Sequence, residues 1–135
     1  MNVKVRIRVA PSRQRRHTTP MKIVELQDVP KQTMESPDVK GITKQVPVGV
    51  ADGSPTMSMR VLTVEPGGYS PYHSHPWEHL NYILAGRGVM VNEAGEERPI
   101  TAGNFAFVEP DEKHQFRNTG AEPLQFICLV PTERE

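Results

Sequence analysis

The sequence predicts an all-β domain, and three observations predict it. Thirteen prolines and ten glycines punctuate 135 residues finely, as many short strands joined by turns require. Apolar residues recur at alternate positions or in short runs, not at helical spacing. The chain offers about ten strand candidates in some 115 residues with no convincing helix, the pattern of a β-sandwich or small barrel.

The elements follow in order. MNVKVRIRVA alternates Val3, Val5, Ile7 and Val9 against Lys4, Arg6 and Arg8, and PSRQRRHTTP reads as a solvated linker. Residues 1–20 therefore stand as a basic N-terminal extension, either an added edge strand or a dispensable tail ahead of a start at Met21. They lack the apolar stretch of a signal peptide, and their alternation is not that of an amphipathic transit helix. Residues 21–135 form the domain. Within it, Lys22–Leu26, Gly41–Val48 and Ser58–Glu65 read as strands, the last closed by a Pro66-Gly67-Gly68 turn. Tyr72–His75 leads into Glu78–Ala85, and Gly86–Gly88 turns the chain. Val89–Asn92 and Glu96–Ile100 form a hairpin about Glu93–Gly95. Asn104–Glu109 and Lys113–Arg117 flank a Pro110-Asp111 turn, and Leu124–Val130 closes the set before Pro131.

A formal charge of zero conceals a split. Residues 1–20 carry six basic residues and no acid, whereas residues 21–135 carry ten basic residues against all 16 acids. That mildly acidic body argues against a nucleic-acid surface. No window is long and apolar enough to span a membrane as a helix. One cysteine, Cys128, permits no internal disulfide and no thiolate zinc cluster, which fits a reducing cytoplasm.

Function is argued from the histidines. His73, His75 and His79 fall within seven residues, and His114 follows 35 residues later on a second strand candidate. The remaining histidine, His17, lies in the basic extension and reads as an ordinary surface residue. Positions i, i+2 and i+6 share one face of an extended strand, whereas i and i+2 diverge on a helix. Four neutral imidazoles converging from two strands make a site for a divalent transition metal.

These residues carry a family resemblance. Gly67, five residues, His73-Ser74-His75, three residues, His79, six residues and Gly86 resemble the first motif of the cupin superfamily. Gly103, Glu109-Pro110-Asp111, His114 and Asn118 resemble the second. The usual cupin ligand set is three histidines and a glutamate; here the glutamate position is His79, and Glu78 should point to the opposite side. The second motif also departs, with Glu109 where proline is usual and Asp111 where glycine is usual. The HSHPWEH string resembles small single-domain four-histidine cupins of the manganese type. That resemblance implies a double-stranded β-helix (jelly-roll) barrel, a homodimer, and one metal held inside by His73, His75, His79 and His114.

An all-imidazole set adds no negative charge, so a divalent ion keeps its full charge in an apolar pocket. Four ligands on a six-coordinate ion leave two positions open. Imidazole suits iron, zinc, nickel and copper; manganese or iron is preferred on the resemblance. The implied function is a dioxygenase-like oxidation of a small organic substrate with dioxygen. A non-oxidative isomerase or lyase, and a non-catalytic small-molecule-binding module, are the alternatives.

Around the ligands, Phe126 and Cys128 share one face of the last strand, and in similar four-histidine cupins these positions line the metal pocket. Tyr82 is a further pocket candidate, while Tyr72 and Trp77 suit packing roles. Asn81, Gln115 and Gln125 could hold the second ring nitrogens of the histidines. Glu109, Asp111 and Glu112 read as a solvated acidic turn rather than a general base. Arg60 and Arg117 are the strand-borne cations best able to hold an anionic substrate.

Overall fold

The computed structural model describes residues 21–135. Nine strands form in chain order: β1 Gln32–Thr33, β2 Lys40–Val48, β3 Met57–Tyr69, β4 His79–Ala85, β5 Arg87–Val91, β6 Glu97–Thr101, β7 Phe105–Val108, β8 Gln115–Arg117 and β9 Leu124–Pro131. Helix among the described residues is limited to three single 3-10 turns. All strand pairings are antiparallel, and the path β6-β5-β8-β3-β9-β4-β7, with β2 and β1 beside β3, curls into a jelly-roll barrel. The edge-strand reading of residues 3–9 lies outside the described residues.

Two expectations are corrected. Lys22–Leu26 is not a strand: the chain there runs into a 3-10 turn at Leu26–Asp28. It is held against β2 by the buried Gln45, whose Nε2 donates to the carbonyls of Leu26 and Val29 at 2.9 Å each. Pro66-Gly67-Gly68 does not reverse the chain either. It bends β3 so that residues 57–64 pair with β9 while Tyr69 pairs with Arg117 of β8 in the other layer. Gly67 takes φ +80°, and a Cβ on Gly68 would stand 2.6 Å from the Lys40 carbonyl, so only glycine permits this crossing.

The inner face changes character along the strands. Ile42, Leu62, Val64, Ile83, Ile100, Phe116, Leu124 and Phe126 form the apolar core. Phe116 of β8 stacks on Phe126 of β9 at 4.0 Å between centroids, joining the two layers. The rung Leu62–Phe126–Ile83 across β3, β9 and β4 is followed, two residues along, by Arg60–Cys128–Asn81. Strand alternation therefore carries the wall from hydrocarbon to polar groups just where β4 begins at His79.

Candidate metal centre

A backbone bridge starts the site. His73 N donates to the His114 carbonyl at 3.1 Å and His114 N donates to that of His73 at 2.9 Å, so the two motifs meet through an antiparallel pair. The chain does not continue to His79 as one extended strand. It bends at Pro76-Trp77, tethered where Asp111 N donates to the His75 carbonyl at 2.6 Å. Convergence of His75 and His79 thus comes from a bend, not from a shared strand face. The turn at Pro110-Asp111 holds its form with Asp111 at φ +65°, a region glycine favours and aspartate tolerates.

Three histidines, His73, His75 and His114, bring one ring nitrogen each to within 4.8 Å of one another. His79 stands beside them, its ring centroid 4.6 Å from that of His75 and 4.7 Å from that of His114. His79 and His114 are buried. Nδ1 of His114 lies 2.9 Å from the Glu112 carbonyl oxygen. A carbonyl only accepts, so Nδ1 carries the proton and Nε2 keeps its lone pair for the cluster. Nδ1 of His79 lies 3.3 Å from Cys128 Sγ, and its Nε2 is buried without a partner. A buried, partnerless ring nitrogen beside three more imidazoles is a group that a cation would satisfy, so the residues present fit a divalent metal.

Electrostatics favours the neutral form of His73, His75 and His79. Burial pushes the His79 imidazole down to about 3, with His114, His75, Arg60 and His73 opposing further positive charge. Burial and the charges of His73, His114, Arg60 and Arg134 bring His75 to about 4. His73 is lowered by burial and by His114 and Arg60, against the pull of Asp38. Neutral imidazole is the form that binds metal.

The rings open on a cavity of about 120 Å³ inside the barrel, lined also by Ile42, Leu62, Phe116, Phe126, Cys128 and Arg60. A larger groove of about 290 Å³ lies beside β5, β6 and β7 and touches one of the four histidines, His114. The chemistry goes with the smaller space, where all four meet.

Phe126 and Cys128 line this cavity. Tyr82 does not, and that expectation is corrected: His79, Asn81 and Ile83 take the inner face of β4, so Tyr82 turns outward and packs on Phe105 at 4.7 Å. The Tyr72 hydroxyl donates to the Asn92 carbonyl, away from the rings, and Lys113 Nζ sits 4.3 Å over its ring. Trp77 stacks on His75 at 4.5 Å and lines the cavity. Arg117 is exposed, whereas Arg60 faces inward. Asn81, Gln115 and Gln125 bond to the Ile127 carbonyl, the Ser70 carbonyl and the Thr63 hydroxyl, not to a histidine. The partners missed in the sequence are the Glu112 carbonyl, which no side-chain pattern reveals, and Cys128 toward His79, which the shared rung with Asn81 could have shown.

Comparison with known proteins agrees with this geometry. An oxalate-binding protein of Thermotoga maritima is 34% identical over 70 residues, 51% of this chain and 57% of that protein. Auxin-binding protein 1 of Arabidopsis thaliana is 27% identical over 113 residues, 78% of this chain and 56% of that protein. The chain thus spans little more than half the length of these two curated relatives. The polyketide cyclase RemF of Streptomyces resistomycificus superposes with a TM-score of 0.79 at 27% identity, covering 84% of this chain and 80% of that one. A cupin-2 domain of Rhodospirillum rubrum superposes with a TM-score of 0.69 at 26% identity, covering 87% and 78%. The family model for the cupin domain matches residues 60–130, from Arg60 through both histidine motifs to the end of β9, and on that match and this barrel the chain belongs to the cupin family.

Proposed function

We propose that His73, His75, His79 and His114 together hold one divalent transition metal, manganese or iron, for a dioxygenase-like oxidation of a small organic substrate. The observation that carries this reading is the buried, partnerless Nε2 of His79 beside three imidazoles whose nitrogens lie within 4.8 Å of one another. When bound, such an ion supplies Lewis acidity and redox chemistry with dioxygen. The chain's own residues do the rest. Ile42, Leu62, Phe116 and Phe126 give the space next to the rings an apolar wall, and Trp77 packs on His75 to fix its plane. The neutral ligand set leaves the ion's charge for the substrate.

A second reading has its own support. Among the described residues no carboxylate lines the cavity, so no acidic general base stands ready, and the Thermotoga relative is named for binding oxalate. A module that binds a small molecule without turnover fits those facts. A metal-assisted isomerase or lyase would differ from the favoured reading by working without oxygen and with zinc.

The partner that suits the outer wall is a second copy of the chain. Phe105 and Phe107 of β7 are 82% and 62% exposed, and Met59, Leu80 and Leu84 are exposed beside them. The outward row Met59–Leu129–Leu80–Phe107 crosses four strands in register, an apolar stripe of the kind that homodimers bury. No helix of the described residues is long and apolar enough to cross a membrane, and the chain is proposed to act in the cytoplasm.

The test of the main reading is oxygen uptake by protein loaded with manganese or iron, across enols, phenols and alkenes, with zinc-loaded and anaerobic controls. Metal-dependent uptake with one substrate class supports oxidation. Turnover that persists with zinc and without oxygen replaces it with isomerase or lyase chemistry.

A further inference from the structure

The cavity beside the histidines holds positive charge that its own walls do not answer. Arg60 faces inward from β3; its Nη2 donates to Cys128 Sγ at 3.4 Å, and its Nε is buried without a partner. Arg134, exposed at the rim, lines the same cavity with its guanidinium 4.8 Å from the centroid of Trp77, the ring stacked on His75. Among the described residues no aspartate or glutamate lines this space, and residues 1–20 contain none in their sequence. Asp38, whose charge reaches His73, stands outside the lining.

A part-buried guanidinium beside hydrocarbon, with a thiol for an acceptor, is costly to keep. The cavity lacks a counter-charge, and a divalent cation on the histidines would deepen the lack. The missing group is therefore an anion that comes and goes. The planar fork of arginine grips a carboxylate or a phosphate along one edge, so the choice between them falls to the surrounding walls. A phosphomonoester offers three oxygens in different directions, whereas Ile42, Leu62, Phe116 and Phe126 donate nothing to the others. With about 120 Å³ available, the molecule has few carbons.

We propose that the site takes a small organic carboxylate, its acid group paired with Arg60 beside the histidine cluster and drawn in past Arg134 at the rim. This deepens the metal-centre reading and rests on it for what the histidine cluster holds; the pairing with Arg60 does not need the ion.

The experiment is calorimetric titration of the full chain, metal-loaded and metal-free, with pyruvate and benzoate, with the matching amides, and with phenyl phosphate, while bound metal is counted by elemental analysis. Arg60→Gln should weaken carboxylate binding by about 10- to 100-fold at unchanged metal content, with the amides unaffected. Arg60→Lys, which keeps the charge and loses the fork, should fall between, and Arg134→Gln should chiefly slow association. Melting curves of both Arg60 variants establish that they fold. Wild-type carboxylate affinity in folded Arg60→Gln overturns the proposal. So does tighter binding of amides or phenyl phosphate, or no binding of either carboxylate at millimolar concentration. A chain that takes up no metal yet binds carboxylates through Arg60 upholds this proposal and ends the metal-centre reading instead.

Discussion

Cys128 Sγ and His79 Nδ1 face each other at 3.3 Å across neighbouring strands β9 and β4, both buried. The same sulfur accepts from Arg60 Nη2 at 3.4 Å. A sulfur that already accepts from a guanidinium is well placed to take the Nδ1 proton of His79 as a second donor, which leaves the Nε2 lone pair for a cation. The cysteine thus orients a proposed ligand without being one.

Cys128→Ser should accordingly hold metal close to the wild-type level, since a hydroxyl can still accept from Nδ1. Cys128→Ala removes the acceptor and should lower metal affinity by about 10-fold, the low end for loss of a ligand's hydrogen-bond partner. Competition with a chromophoric chelator measures both. Equal affinity in all three proteins would remove the role from Cys128.

Metal loading should also stabilise the fold. An ion bound by the native state alone adds about 4 kcal/mol when its free concentration is a thousand times its Kd. Thermal melting of the loaded protein should therefore fall on chelation and recover on adding manganese or iron. His114→Ala and His79→Ala should both melt where the chelated wild type does, show no metal response, and keep the β-sheet circular dichroism. A full metal response in His79→Ala would reduce the ligand set to His73, His75 and His114, the three whose nitrogens lie within 4.8 Å.

The parts of this molecule legible in the sequence were those governed by period two and by motif spacing. β9 alternates buried and half-buried positions from Leu124 to Pro131, and its inward set contains Phe126 and Cys128. His73 and His114 were recognisable as partners by spacing, and a backbone bridge joins them. What escaped was set by tertiary geometry. Pro66-Gly67-Gly68 looks like a reversal and is instead a strand crossing from one layer to the other, because the turn signal reports only local dihedral freedom. The outward facing of Tyr82 follows once His79 is known to be the first inward residue of β4, a register that the preceding bend conceals. The Glu112 carbonyl that fixes His114 belongs to the backbone and leaves no trace in residue type.

Acid should weaken the metal-free protein in a defined window. His79 and His75 ionise in the fold only near about 3 and about 4, against 6.5 for the free side chain, chiefly because burial penalises the charged ring. The unfolded chain therefore binds protons before the folded one does. The stability from holding these rings neutral is complete above pH 6.5 and is lost as pH falls from there toward 4 and 3. Urea midpoints of chelated protein should drop across that range, and His79→Ala should flatten the slope. An unchanged slope in that variant would place the acid sensitivity elsewhere.

The outer wall makes the last prediction. Phe107 lies opposite Leu80 at the end of the stripe that runs back through Leu129 to Met59, and Phe105, two residues before it on β7, lies opposite Tyr82 on the neighbouring row. Isolated exposed apolar residues are ordinary, but a stripe in register across four strands holds contiguous area, and burying it against a copy of itself removes both halves from water. Phe107→Glu places a charge at the stripe's end, where a two-fold interface would bring two such charges to the same buried patch. Sedimentation velocity should show the wild type as a dimer at micromolar concentration and Phe107→Glu as a monomer. Because β7 contributes Val108, not Phe107, to the buried interior, the variant should keep its sheet content and its metal uptake. A wild type that sediments as a monomer would leave this face without its proposed partner, and a variant that stays dimeric would move the interface to another wall of the barrel.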